Sequence, residues 1–170
     1  TSAGFEGGST ASVPVRAFGD DSLSTFSISA WFNGDDFEGL RTLFGQGLGS
    51  PPSYALVASG TELQWFVGDA VEFAGGPITA GTTHHTVATY APDKATIYLD
   101  GVEVGSIESP LELDVGVEDT FYIGSFARVL PFSGRIDDVQ IYDRVISADD
   151  VAALFSNPGT VLSTGDEEPE

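Results

Sequence analysis

No cysteine and no methionine occur in the 170 residues of this chain, and lysine occurs once, at Lys94. The absence of cysteine excludes disulfides, thiolate catalysis and Cys-based zinc or iron–sulfur centres. It leaves the compartment open. The absence of methionine even at position 1 reads as a mature product or an excised piece, with any signal peptide already gone. No apolar run approaches the roughly 18 residues that a membrane helix needs, so no membrane insertion is expected. Basic residues are also scarce: six Lys and Arg stand against 26 Asp and Glu, for a formal charge of −20. Such a surface repels polyanions. Nucleic acid is excluded as a partner, because its binding releases counterions through basic contacts that are too few here. Anionic lipid and sulfated glycan are disfavoured for the same reason. Three readings of the acidity stay open: adaptation to high salt, where screening removes self-repulsion, binding of divalent cations, and simple solubility.

What is present points to β-structure. The length favours one domain with one full core, and an apolar fraction of 41% argues against global disorder. Phe26 to Ala30 alternates apolar and small polar residues, as a half-buried strand does. Leu63, Trp65 and Val67 share one face of another strand, with Gln64 and Phe66 on the other. Thr96 to Leu99 and Val102 to Gly105 are two strands joined by Asp100-Gly101, the dipeptide that suits a type I′ hairpin turn. Phe121 to Gly124 and Arg135 to Tyr142 are two more. In the latter, alternation puts Ile136, Asp138, Gln140 and Tyr142 on one face and Asp137, Val139 and Ile141 on the other. One helix is expected, with Ser147 as N-cap, Asp150 as its capping partner, Val151, Leu154 and Phe155 as the apolar stripe, and Asn157-Pro158-Gly159 as the stop. Strands spaced by short turns without alternating helices argue for an antiparallel sandwich. The domain is read as residues 1–158, and residues 159–170 as an acidic tail or linker.

Taken in order, these segments resemble a known family. "AGFEGGSTASVPV" looks like an opening strand pair, "FSISAWFN" like the next core strand, and "RTLFGQG" and "YALVASGTELQWFVG" like the two hairpin segments that follow. "GTTHHTVATY" with "IYLDGVEVGS" is the most recognisable stretch, and "FYIGS" and "FSGRIDDVQIYDRVISADDVAALF" close the domain. The chain resembles the laminin-G-like domains of the concanavalin-A-like lectin/glucanase superfamily. The resemblance implies an all-β, antiparallel jelly-roll β-sandwich with one short C-terminal helix. Two departures, Thr83 where members often carry Trp and Ala91 where they often carry Asp or Asn, fall at structural positions.

Glucanases on this fold use a short strand motif that sets two carboxylates about 5 Å apart for a retaining mechanism. The nearest stretch here, Glu112 to Glu118 with Asp114 between, has too long a last gap and is interrupted by Gly116. No Ser sits in a Gly-x-Ser-x-Gly elbow either. No catalytic residue is therefore assigned, and no enzyme is expected. His84 and His85 are adjacent, so on a strand they face opposite ways, and the resemblance makes them structural. Calcium is the expected cofactor. It wants six to eight oxygens, and related sandwiches hold one where the first strand meets the last. The resemblance puts Glu6, Asp137 and Asp138 there, with Asp137 read as pointing inward; Asp20-Asp21 and Asp35-Asp36 are alternatives. For a sugar face, Trp65 with Tyr54 is the candidate aromatic pair, with Asp69 and Arg128 as rim polar residues, although an inner-sheet position also suits the pair. Trp31, in the "AWF" motif, is expected to be packed. The expected function is a secreted or cell-surface, non-catalytic recognition module, binding a neutral glycan or a protein partner within a surface or adhesion protein. The alternative is a structural subunit that self-assembles into an extracellular filament or surface layer.

Overall fold

A computed structural model describes residues 3–5, 11–14, 25–46, 54–68, 71–108, 113, 120–125 and 130–163. Its strands are β1 (Ala3–Phe5), β2 (Ala11–Pro14), β3 (Phe26–Gly34), β4 (Arg41–Gln46), β5 (Tyr54–Ser59) and β6 (Glu62–Val67), then β7 (Val71–Gly75), β8 (His84–Ala91), β9 (Lys94–Leu99), β10 (Val102–Glu108), β11 (Thr120–Ile123) and β12 (Gly134–Tyr142), and one helix follows, α1 (Ala148–Ser156). They form two six-stranded sheets, ordered β1-β12-β3-β8-β9-β10 and β2-β11-β4-β5-β6-β7. Every described strand pair is antiparallel. No helix among the described residues is long and apolar enough to cross a membrane.

Alternation decides what enters the core between the sheets. Phe26, Ile28, Ala30 and Phe32 of β3 point in, and Leu63, Trp65 and Val67 of β6 meet them from the opposite sheet, all at 1% exposure or less. Tyr54 and Leu56 of β5 and Phe44 of β4 complete this aromatic interior. Each pleat turns the intervening residues to the outer face, where Ser27 and Ser29 of β3 and Ala55 and Val57 of β5 are nonetheless buried. In the first sheet that face is not all solvated: α1 lies on it and buries Val151 and Leu154 with Val87, Tyr142 and Ile146 in a second, smaller cluster.

The local signals for turn and cap hold. Asp100 and Gly101 both have positive φ, 50° and 84°, as the hairpin between Leu99 and Val102 requires. Ser147 and Asp150 form a reciprocal capping box at the start of α1. The face assignment in β12 needs correction. Ile136 faces the main core, and so do Val139 and Ile141, which alternation alone forbids. The register explains it: Asp137 pairs with Trp31 but Gln140 with Ser29, so β12 carries one residue more than β3 over this stretch. The bulge falls at Asp138, which has the left-handed φ of 48° that Asp tolerates better than most residues. One inserted residue inverts the facing of everything before it. Asp137 therefore lies on the outer face opposite Trp31, and the inward carboxylate read from parity does not exist. Where β12 begins, Gly134 pairs with Gly34 at φ 136°, and a Cβ on Gly134 would sit 2.1 Å from the Asn33 carbonyl oxygen, so no other residue fits.

Candidate functional site

The outer face of the first sheet carries an open cleft of about 1010 Å³ beside α1. Two adjacent cross-strand pairs make its floor: Asp137 opposite Trp31, and Arg135 opposite Asn33. Trp31 is outward because Ile28, Ala30 and Phe32 are inward. It is half-buried, not enclosed. Its ring stacks on Phe155 of α1 at 5.8 Å and lies 4.9 Å from the His85 ring. Its indole N–H has no hydrogen-bond partner among the described residues and is not buried. Asn33 donates through Nδ2 to the Thr83 hydroxyl (3.0 Å) and the Gly81 carbonyl (3.2 Å), which holds its amide flat against the loop before β8. Asp35 is held at the rim by the Ser133 hydroxyl, which donates to Oδ2 at 2.8 Å.

The far wall is the turn after α1, Pro158 and Gly159. The bulge residue Asp138 anchors it: Oδ2 accepts from the Gly159 N–H (3.1 Å) and Oδ1 from Gln140 Nε2 (2.9 Å). Gln140 also donates to the Thr160 carbonyl at 2.8 Å, and its own Oε1 accepts from the Tyr142 hydroxyl. The strained backbone at Asp138 thus serves to aim a carboxylate at the chain that closes the cleft.

Beneath the cleft lie the two histidines, facing opposite ways as adjacent strand residues must. His84 faces Phe32 and accepts from the Thr79 N–H through Nε2 (3.1 Å). Its proton is therefore on Nδ1, which donates to Asp100 Oδ2 at 2.8 Å. The second Asp100 oxygen accepts from the His85 backbone N–H at 2.9 Å. His85 lies under Trp31 and Phe155, with Nε2 at 2.8 Å from the Ser29 hydroxyl and Nδ1 buried without a partner among the described residues. Burial pushes its pKa down to about 4, against a smaller upward pull from Asp100 and Asp138. Both rings are built into the sheet.

The aromatic pair read as a sugar face is elsewhere. Tyr54 and Trp65 are 4% and 0% exposed, 5.7 Å apart in the interior, with the Tyr54 hydroxyl donating to Gln46 at 2.6 Å. No ligand can stack on them, so the platform assignment is overturned: their faces are taken up by Phe26 and Phe44. Asp69, Arg128, Glu6 and the stretch Glu112 and Asp114 to Glu118 lie outside the described residues. Asp137 and Asp138 do share the cleft. Yet no group of three or more His, Asp or Glu side chains among the described residues is placed to hold a metal. Both Asp138 oxygens are taken by N–H donors. Trp31, expected to be packed, is the tryptophan that reaches the cleft: it lies on the same side of β3 as Ser27, Ser29 and Asn33, and the Phe155 ring of α1 covers it only in part.

Two face-packed antiparallel sheets, a helix laid on one of them and an outward-facing cleft define a lectin-like β-sandwich. The chain belongs to the concanavalin A-like lectin/glucanases superfamily, whose family model matches residues 5–152. No curated protein matches it in sequence. Among solved structures it is similar to the CBM40 of Ruminococcus gnavus IT-sialidase bound to α2,3-sialyllactose, with a TM-score of 0.68 at 14% identity over 79% of this chain and 84% of that one. It is similar to the heptameric SAP-like pentraxin of Limulus polyphemus, with a TM-score of 0.64 at 13% identity over 78% and 70% of the two chains. Trypanosoma rangeli sialidase matches with a TM-score of 0.63 at 21% identity over 78% of this chain. The chain spans only 22% of that sialidase. At these identities the likeness is one of fold.

Proposed function

We propose that the chain is a non-catalytic recognition module, acting outside the cell, that binds a neutral glycan in the cleft beside Trp31. One observation carries this reading: a half-buried indole with an uncommitted N–H sits in a cleft that also presents the Asn33 amide, the Thr83 hydroxyl, aspartate carboxylates and the Arg135 guanidinium, closed on its far side by Pro158 and Gly159. A sugar ring has an apolar face and a polar rim, and sites for such ligands combine an apolar surface with a few placed polar groups. The formal charge of −20 favours uncharged saccharides over acidic ones. The R. gnavus CBM40, of the same fold, is bound to a glycan, which supports the class of ligand though not its identity. On an array of neutral oligosaccharides, saturable binding is expected, and Trp31→Ala is expected to abolish it while leaving the far-UV spectrum unchanged. Binding that survives Trp31→Ala would place the site elsewhere, and a blank array at every salt concentration would refute the reading.

Self-assembly is a second reading, favoured by one feature. β1 and β2, both from the N-terminal stretch, form an edge of each sheet, and edge strands are where a second copy can pair. Sedimentation in molar salt is expected to show species larger than the monomer if this reading is right. A strictly monomeric boundary at every concentration counts against it.

A further inference from the structure

Arg135 stands apart among the cleft residues. It is exposed, and its guanidinium takes no hydrogen bond or ion pair among the described residues. The other cations of the described residues are committed: Arg41 to Asp36, Arg144 to the Ser163 carbonyl and the Tyr142 ring, Lys94 to Glu108. Among the described residues Arg135 is thus an unpaired cation, although Asp35, Asp137 and Asp138 line the same cleft. On the sheet it is directly opposite Asn33 and diagonal to Trp31. Diagonal neighbours of this kind lie about 7–8 Å apart, within reach of long side chains. The Asn33 amide is fixed by Thr83 and Gly81, so its donors are spent. The donors left for a ligand on this floor are the Arg135 guanidinium and the Trp31 N–H.

Resting on the glycan reading above, we infer that Arg135 is the specificity-determining residue of the cleft, and that it selects neutral sugars presenting vicinal hydroxyls. A guanidinium offers a planar fork of donors and no acceptor. Two adjacent hydroxyl oxygens accept from that fork, and the same hydroxyls donate their protons to the surrounding carboxylates. A sugar carboxylate meets Arg135 but also the three aspartates, so uronates bind worse. A protonated amino sugar meets the aspartates but is opposed by Arg135. Removing the guanidinium therefore has opposite effects on two ligand classes. A merely structural residue lowers binding of both together.

The test is one array printed with neutral hexose, free-amino hexosamine and uronate oligosaccharides, read with the wild type, Arg135→Gln, Arg135→Lys and Trp31→Ala. The melting temperature of each variant serves as the check on folding. With Arg135→Gln, binding to the neutral sugars is expected to fall about tenfold, the size expected for a lost hydrogen bond to a charged group, while binding to the amino sugars rises. Arg135→Lys keeps the charge and loses the fork, so neutral binding falls without a gain for amino sugars. Neutral binding unchanged in Arg135→Gln overturns the inference, as does an equal fall for every class. If the wild type binds and Trp31→Ala does not, such a result condemns the role of Arg135 alone. If the wild type binds nothing, the glycan reading fails and takes this inference with it.

Discussion

Trp65→Ala is expected to destabilise the sandwich by about 3–5 kcal/mol, the range for truncating a buried large aromatic. Trp65 is fully buried, the largest such side chain in the core, and Phe26, Phe44 and Tyr54 pack around its ring at 5.7 to 6.5 Å. Those three come from β3, β4 and β5, so the hole left by the indole opens between the two sheets and no single strand can shift to fill it. Domains of this size have only about 5–15 kcal/mol of net stability, so the variant loses a large share of its margin. Urea unfolding at fixed pH measures the shift in midpoint. Trp65→Phe, which keeps a ring in the cavity, should recover part of the loss. A change below about 1 kcal/mol would mean that Trp65 is not the core residue the structure describes. The two tryptophans thus separate cleanly: Trp65→Ala acts on stability, Trp31→Ala on binding.

Acid is expected to weaken the fold through His85. Its folded pKa is about 4, below the ordinary 6.5, because burial under Trp31 and Phe155 penalises the imidazolium and Nδ1 has no acceptor waiting for a proton. Asp100 and Asp138 oppose this only in part. Between these two values the unfolded chain binds a proton at this residue and the folded chain does not, so stability rises with pH across the window. The contribution is fully present above about pH 6.5 and is lost as pH falls toward 4, about 3 kcal/mol in all at 1.36 kcal/mol per unit. Many carboxylates titrate nearby, so the comparison that isolates the effect is the difference between wild type and His85→Gln, followed by urea unfolding from pH 7 to pH 4. The wild type should lose more stability than the variant over that interval. Parallel curves would show that His85 is not held neutral. Weakening of this contact also loosens the seat of Phe155, so Trp31 fluorescence is expected to change over the same range.

Much of the fold could be read along the chain because its causes are local. Asp100-Gly101 makes a hairpin through the φ values its own residues tolerate, and the Ser147 hydroxyl caps α1 by accepting from a backbone N–H only three residues on, that of Asp150. Alternation in β6 sorts core from surface without reference to any other strand, and in β3 it separates the apolar side chains that face the other sheet from those on the outer face. The ordered motifs pointed to the superfamily, whose family model matches residues 5–152. The site was different. Its residues come from β3, the loop before β8, β12 and the turn after α1, which spread from Trp31 to Gly159. No spacing rule connects them.

What the sequence determined by itself was therefore the sandwich, its turns, its helix and its charge, all properties of neighbouring residues or of composition. What only the tertiary structure decided was which tryptophan meets solvent and where Asp137 points. The first depends on which sheet each strand joins and what covers its outer face. The second depends on one extra residue in β12 relative to β3, a mismatch between two strands about a hundred residues apart in the chain. A bulge is a property of a pair of strands, so neither strand alone can announce it.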